Sequence, residues 1–159
     1  MKLKKILILM LVCVLCISFV GCGSEGNMDA GKESVNEKQE ENVEKVFVDD
    51  DNCTFKISAI EEDEIWGYTL KADLENKTDK NLMFSLENVS VNGFMCDPFW
   101  ACSVQSGKKA KSDISFSETA FKELGIEKVE EIEFTLSVSD EDDWEAEDLI
   151  NETFTYTID

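Results

Sequence analysis

Six cysteines, 35 carboxylates and no histidine set the chemistry this chain can attempt. Arginine is also missing, so all 15 basic side chains are lysines. The commonest general base and the commonest metal ligand are therefore absent. So is the planar fork that clamps a phosphate from two sides. Thiol and carboxylate chemistry remain. Cys13 and Cys16 have C-x-x-C spacing but stand inside an apolar run, where a redox role is out of place. Cys96 and Cys102 flank a turn over 97–101. With adjacent strands on either side, both thiols can share one face, and the spacing predicts a Cys96–Cys102 disulfide. Closing so short a loop stabilises by about 2 kcal/mol on the chain-entropy account. The competing reading is that Cys53, Cys96 and Cys102 are small buried hydrophobes. A thiolate metal site would need Asp or Glu as a further ligand. Cys53 is left as a buried free thiol or as a rival for either partner.

The carboxylates fall into runs at 49–51, 61–64 and 140–143. Calcium wants six to eight oxygens, yet the last run lacks the spacing and the glycine of an EF-hand loop. The plainer expectation is solvated loops that keep the chain soluble and blunt sheet edges. No metal and no cofactor are expected. Glycoside hydrolysis needs only two carboxylates, but acids this numerous make no pair stand out. A formal charge of −20 excludes nucleic acid as a partner, because like charges repel. It favours a partner with a basic face. Lys108, Lys109 and Lys111 form the single basic cluster, either a contact for anionic headgroups and wall polymers or a solvated turn. Phe99 and Trp100 beside Pro98, and Trp144 inside an acidic run, are the candidate interaction residues. The competing reading places most of these rings in the core or at its edge. Trp66 falls on a core-facing stripe.

The amino terminus reads as an address. Lys2, Lys4 and Lys5 precede an apolar run from Ile6 to Val20, broken only by Ser18. That run is short for a membrane span, which needs about 20 residues, and suits the core of a cleaved signal. It ends Phe19-Val20-Gly21-Cys22, which resembles the lipobox of bacterial lipoproteins, with Phe19 where leucine is usual. The resemblance implies cleavage before Cys22 and a diacylglycerol on its thiol. Two acyl chains hold a protein to a bilayer where one does so only marginally. The expected location is the extracytoplasmic face of the cell membrane, held by the lipid anchor.

Residues 1–21 are thus a signal peptide, and 22–45 the lipidated cysteine with a disordered linker, polar and free of aromatics. Residues 46–159 form the domain, with every aromatic but Phe19. Within it, apolar residues alternate at 53–59, 66–74, 82–86, 100–104, 132–138 and 154–158. Asn92-Gly93 is a type I′ hairpin signal. Ser117 can start, and Gly125 can end, a short helix over 118–124. The pattern predicts an all-β fold: an antiparallel immunoglobulin-like β-sandwich with one short helix.

The succession Glu75-Asn76, Asp79-Lys80, Val91-Asn92-Gly93, Asp97-Pro98, Gly107-Lys108 and Gly125-Ile126 resembles a family of lipoproteins from anaerobic Gram-positive bacteria. Their carboxy-terminal domain is an immunoglobulin-like sandwich of unknown function, similar in fold to secreted immunogenic antigens. The resemblance covers about residues 46–159, and its motifs are turn residues. It implies a fold and supplies no catalytic residue. The Cys96 and Cys102 pair departs from its pattern. The expectation is a non-catalytic binding module, not an enzyme, anchored in the membrane and presenting loops to an envelope protein or cell-wall component. A small carboxylate-based hydrolase and a calcium-binding structural component of the envelope are the alternatives.

Overall fold

Alternating apolar residues become strands throughout the domain. A computed structural model describes residues 39–41, 43–63 and 67–158. The signal, Cys22, most of the linker and Trp66 lie outside the described residues. In chain order the elements are β1 (Gln39–Glu41), β2 (Lys45–Asp49), β3 (Cys53–Asp63), β4 (Gly67–Asn76) and β5 (Leu82–Val91). There follow β6 (Phe94–Met95), β7 (Ala101–Val104), β8 (Lys109–Phe116), α1 (Glu118–Leu124), β9 (Glu131–Asp140) and β10 (Ile150–Thr157).

They form two antiparallel sheets. The first has the order β1-β3-β4-β8, with β2 also on β3; the second has the order β10-β9-β5-β6, with β7 also on β5. Each sheet therefore has one edge lane made of two short strands in line, β1 with β2 and β6 with β7. This is the layering of an immunoglobulin-like sandwich with its own connectivity. The β3–β4 hairpin stays within one sheet, and the chain then crosses between sheets after β4, β7 and β8. Strand pairing starts at Gln39, so the folded domain takes in residues that the sequence assigns to the linker.

Both long central strands change face midway. In β5 the buried set is Leu82, Phe84 and Leu86, then Val89 and Val91. The step comes at Asn88, whose φ of 50° inserts an extra residue against β9. The segments 82–86 and 89–91 are thus one strand. In β3 a register shift between Ile57 and Ala59 does the same. The hairpin at Asn92-Gly93 has φ of 50° and 81°, as a type I′ turn requires.

The core lies between the sheets. Phe55, Phe84, Phe116 and Phe134 are fully buried, each worth roughly 1.5–3 kcal/mol against exposure. Phe47 on β2 packs on Phe55, Phe134, Phe154 and Tyr156, with centroids 5.1–5.8 Å away, which ties the β2 edge to β10. On the opposite edge Trp100 stands 6.1 Å from Phe55. Its indole N–H donates to Ser112 Oγ on β8 at 2.9 Å, which joins the sheets. The short helix closes one end, where Phe121 stacks on Phe116 at 5.7 Å. Ser117 makes no side-chain cap. Gly125 ends the helix at φ 70°, its N–H on Lys122 O and that of Ile126 on Phe121 O. Gly67 is required at φ 82°, because a Cβ there would lie 2.3 Å from Phe116 O and 2.7 Å from Glu118 N.

Candidate functional site

Two of the acidic runs, 49–51 and 140–143, build turns, whereas Glu61, Glu62 and Asp63 lie within β3 and Glu64 is outside the described residues. Asp50 Oδ1 accepts the N–H groups of Asn52 and Cys53, both at 2.8 Å, and so shapes the β2–β3 turn. Asp49 takes Lys77 Nζ at 2.6 Å and Thr54 Oγ1 at 2.9 Å. Those bonds to Lys77 and Thr54 hold its carboxyl below the usual 3.8. Asp140 is the buried member of its run, on the inward face of β9 and opposite Leu82. Lys80 Nζ lies 2.7 Å from it, and Asp142 N–H donates to it at 3.0 Å. The Lys80 bond, then that N–H, lowers the Asp140 pKa, and Asp140 in turn raises that of Lys80. Asp142 accepts from Asn81, and Asp143 from the Glu145 N–H. Among the described residues no group of three or more Asp, Glu or Cys side chains is arranged to hold a metal ion.

Asn76 is the organising residue of this end of the sandwich, and the sequence reading passed over it as a turn residue. It is 1% exposed. Its amide donates to Lys80 O at 2.7 Å and to Val104 O at 2.8 Å. Its oxygen accepts from Thr78 N and Thr78 Oγ1. One side chain thus joins the β4–β5 turn to β7 in the other sheet. Its place at the end of an alternating strand, just before a polar turn, was the available signal.

The thiols stay apart. Cys53, Cys96 and Cys102 are free, so the expected Cys96–Cys102 disulfide is corrected. The two do not sit on facing strands. Both belong to the lane beside β5, Cys96 at the level of Val89 and Cys102 opposite Phe84. Five residues of strand separate those levels, roughly 15 Å at about 3.3 Å per residue. A disulfide needs its Cα atoms within about 7 Å. Burial, with Asp50 nearby, pushes the Cys53 thiol up to about 12. Burial and then Asp97 raise Cys96 as well. Neither is an activated nucleophile.

The aromatic candidates divide. Trp100 is 8% exposed and belongs to the core, which corrects its place among the interaction residues. Phe99 is 93% exposed and Trp144 is 87% exposed. They do not form one patch. Trp144 lies in the β9–β10 loop, at the end where β5 begins, and Phe99 lies between β6 and β7, alongside the middle of β5. Phe94 and Met95 on β6 are exposed too. The basic cluster is not one turn: Lys109 and Lys111 lie within β8. Lys109 pairs with Glu75 at 3.0 Å and Lys111 with Asp73 at 3.2 Å, while Lys108 is exposed in the turn before them.

The two outward faces differ in kind. On the first sheet, lysines and acids alternate across strands. Lys56 meets Glu44 and Asp73, and Lys71 meets Glu61 and Asp113. The second sheet has no lysine in any of its strands. Its outward positions carry Ser85, Ser90, Ser103, Thr135, Ser137, Thr153 and Thr155, with Glu87, Glu131 and Glu133 among them. Among the described residues, no helix is long and apolar enough to cross a membrane. Compared with known proteins, the chain matches no family model, no curated protein and no solved structure.

Proposed function

We propose that this chain is a lipid-anchored binding module without catalytic activity, held by Cys22 on the extracytoplasmic face of the cell membrane. The observation that carries the binding reading is the display of Phe99 and Trp144, 93% and 87% exposed, from the loops of a well-packed sandwich. Large aromatics of this kind anchor protein interfaces. The carboxylate runs support it from the other side, since Asp49, Asp50, Asp140 and Asp142 are engaged in local turns and pairs. Support for the anchor comes from the sequence: three lysines, an apolar run and Gly21-Cys22. This reading keeps the chain with the lipoproteins it resembles.

The test is fractionation of the full chain after growth with a clickable palmitate analogue. The wild-type protein is expected in the membrane fraction carrying label, and Cys22→Ser is expected unlabelled and unprocessed, or released. A Cys22→Ser protein that still matures, carries label and pellets with membranes overturns the anchor.

A further inference from the structure

The loop that carries Phe99 is built to hold its ring in water. At one end Cys96 is buried and its N–H bonds Val89 O at 3.0 Å. At the other, Trp100 is buried, its carbonyl accepts the Leu86 N–H, and its indole is fixed on Ser112. Between them Asp97 Oδ1 accepts the Phe99 N–H at 2.7 Å, across Pro98. Phe99 itself takes φ 51°. A left-handed backbone disfavours any residue with a Cβ, and a bulky aromatic there is an outlier. Water disfavours the exposed ring as well. At 93% exposure the ring makes little contact inside the domain that could offset either cost. Backbone strain of this kind concentrates at binding sites.

The surroundings indicate what meets it. Met95 is 68% exposed on the same edge lane, and Phe94 is 49% exposed. Met95, Ser90 and Glu133 share one row across the sheet, and Glu87 lies in the next part of the same outward face. Glu87, Asp97, Glu131 and Glu133 make no ion pair among the described residues. The strands beneath them hold no lysine. Lys128 stands at the Asn92-Gly93 turn, where its carbonyl accepts from the Asn92 amide. The exposed apolar side chains of this edge lane thus lie beside acids that make no ion pair among the described residues, whereas Lys56, Lys71, Lys109 and Lys111 on the other sheet already face acids.

We propose that the β6–β7 edge of the second sheet is a docking surface for a protein whose apolar pocket receives Phe99 within a rim of basic side chains. This rests on the binding-module reading and names its surface and the character of its partner. Charge selects that occupant. A second copy of this chain brings the same excess of acids, and an anionic bilayer is repelled for the same reason.

The experiment uses the full chain in the membrane of the cell that makes it, with p-benzoylphenylalanine in place of Phe99, Trp144 or Thr54, and crosslinking by light. Position 99 is expected to join one protein with a basic surface, in at least tenfold higher yield than position 144 or 54. The yield should fall about tenfold in the Glu87→Lys/Glu133→Lys variant and stay level in Asp79→Lys/Glu145→Lys, which makes the same charge change elsewhere. It should also fall in the unreversed chain as salt rises from about 0.05 to 0.3 M. Phe99→Asn, which removes the ring but suits the backbone, should melt at or above the wild-type temperature. Adducts from position 99 to lipid or to a second copy overturn the proposal, as does a yield indifferent to both charge reversal and salt. Adducts from positions 144 or 54 alone overturn this surface and leave the binding module standing. No protein adduct from any position overturns both.

Discussion

Single residues carry much of the strain and much of the closure in this domain. Gly67 combines a left-handed backbone with a Cβ position already occupied by Phe116 O. Gly67→Ala is expected to lose about 3 kcal/mol of stability, from the backbone term and overpacking together, read from chemical denaturation. A loss below about 0.5 kcal/mol would mean that β4 and α1 separate freely there. Nothing in the sequence marks this glycine, because it sits as an ordinary polar position in an alternating strand. The required contact is with residues 116 and 118, far along the chain. The cysteines give the opposite lesson. Their spacing looked like a bridge because the turn between them was read as a hairpin, whereas the lane they share runs straight along β5. Alkylation of the denatured, unreduced protein should therefore place a tag on both Cys96 and Cys102. A mass lacking both tags and two hydrogens would restore the bridge.

At the scale of elements, the helix over 118–124 and the Asn92-Gly93 hairpin were legible, since local turn chemistry decides both. Trp100 was legible in part. Its place in the 100–104 alternation puts it on one stripe with Val104, its position beside Pro98 reads as an exposed turn, and the approach of β7 to β8 places it on Ser112 and Phe55. The first edge lane was missed. Residues 39–49 are short, charged and broken by a bulge between Val46 and Val48, so alternation is hard to see. Yet Phe47 touches four rings of both sheets. Phe47→Ala should cost about 3 kcal/mol, measured as a shift in denaturant midpoint with unchanged slope. A cost under about 1 kcal/mol would show that β2 is an optional attachment to β3.

For the molecule as a whole, stability and pH are linked through the few carboxylates that the fold engages closely. The folded Asp140 pKa lies below its ordinary 3.8. Its contribution is therefore complete above that value and lost as pH falls through the depressed one. Lys80 is shifted upward, so the same pair holds until pH climbs past the raised lysine value. Asp140→Asn should be less stable than wild type near neutral pH, and the two unfolding curves should converge as the pH drops toward 2. A gap that stays constant across that range would make the role of Asp140 one of shape instead of charge. Composition announced the excess of acid but not its division, because the side of a sheet that a lysine occupies is a matter of register.

That division has a practical edge. A protease that cuts after basic residues finds no target in any strand of the second sheet, and the chain has no arginine to provide one. Tryptic cleavage would leave residues 81–108 and 129–159 as two long fragments, which together include all of β5, β6, β7, β9 and β10. An enzyme of that kind can enter the second sheet only through the loops that flank its strands, at Lys80, Lys108 and Lys128.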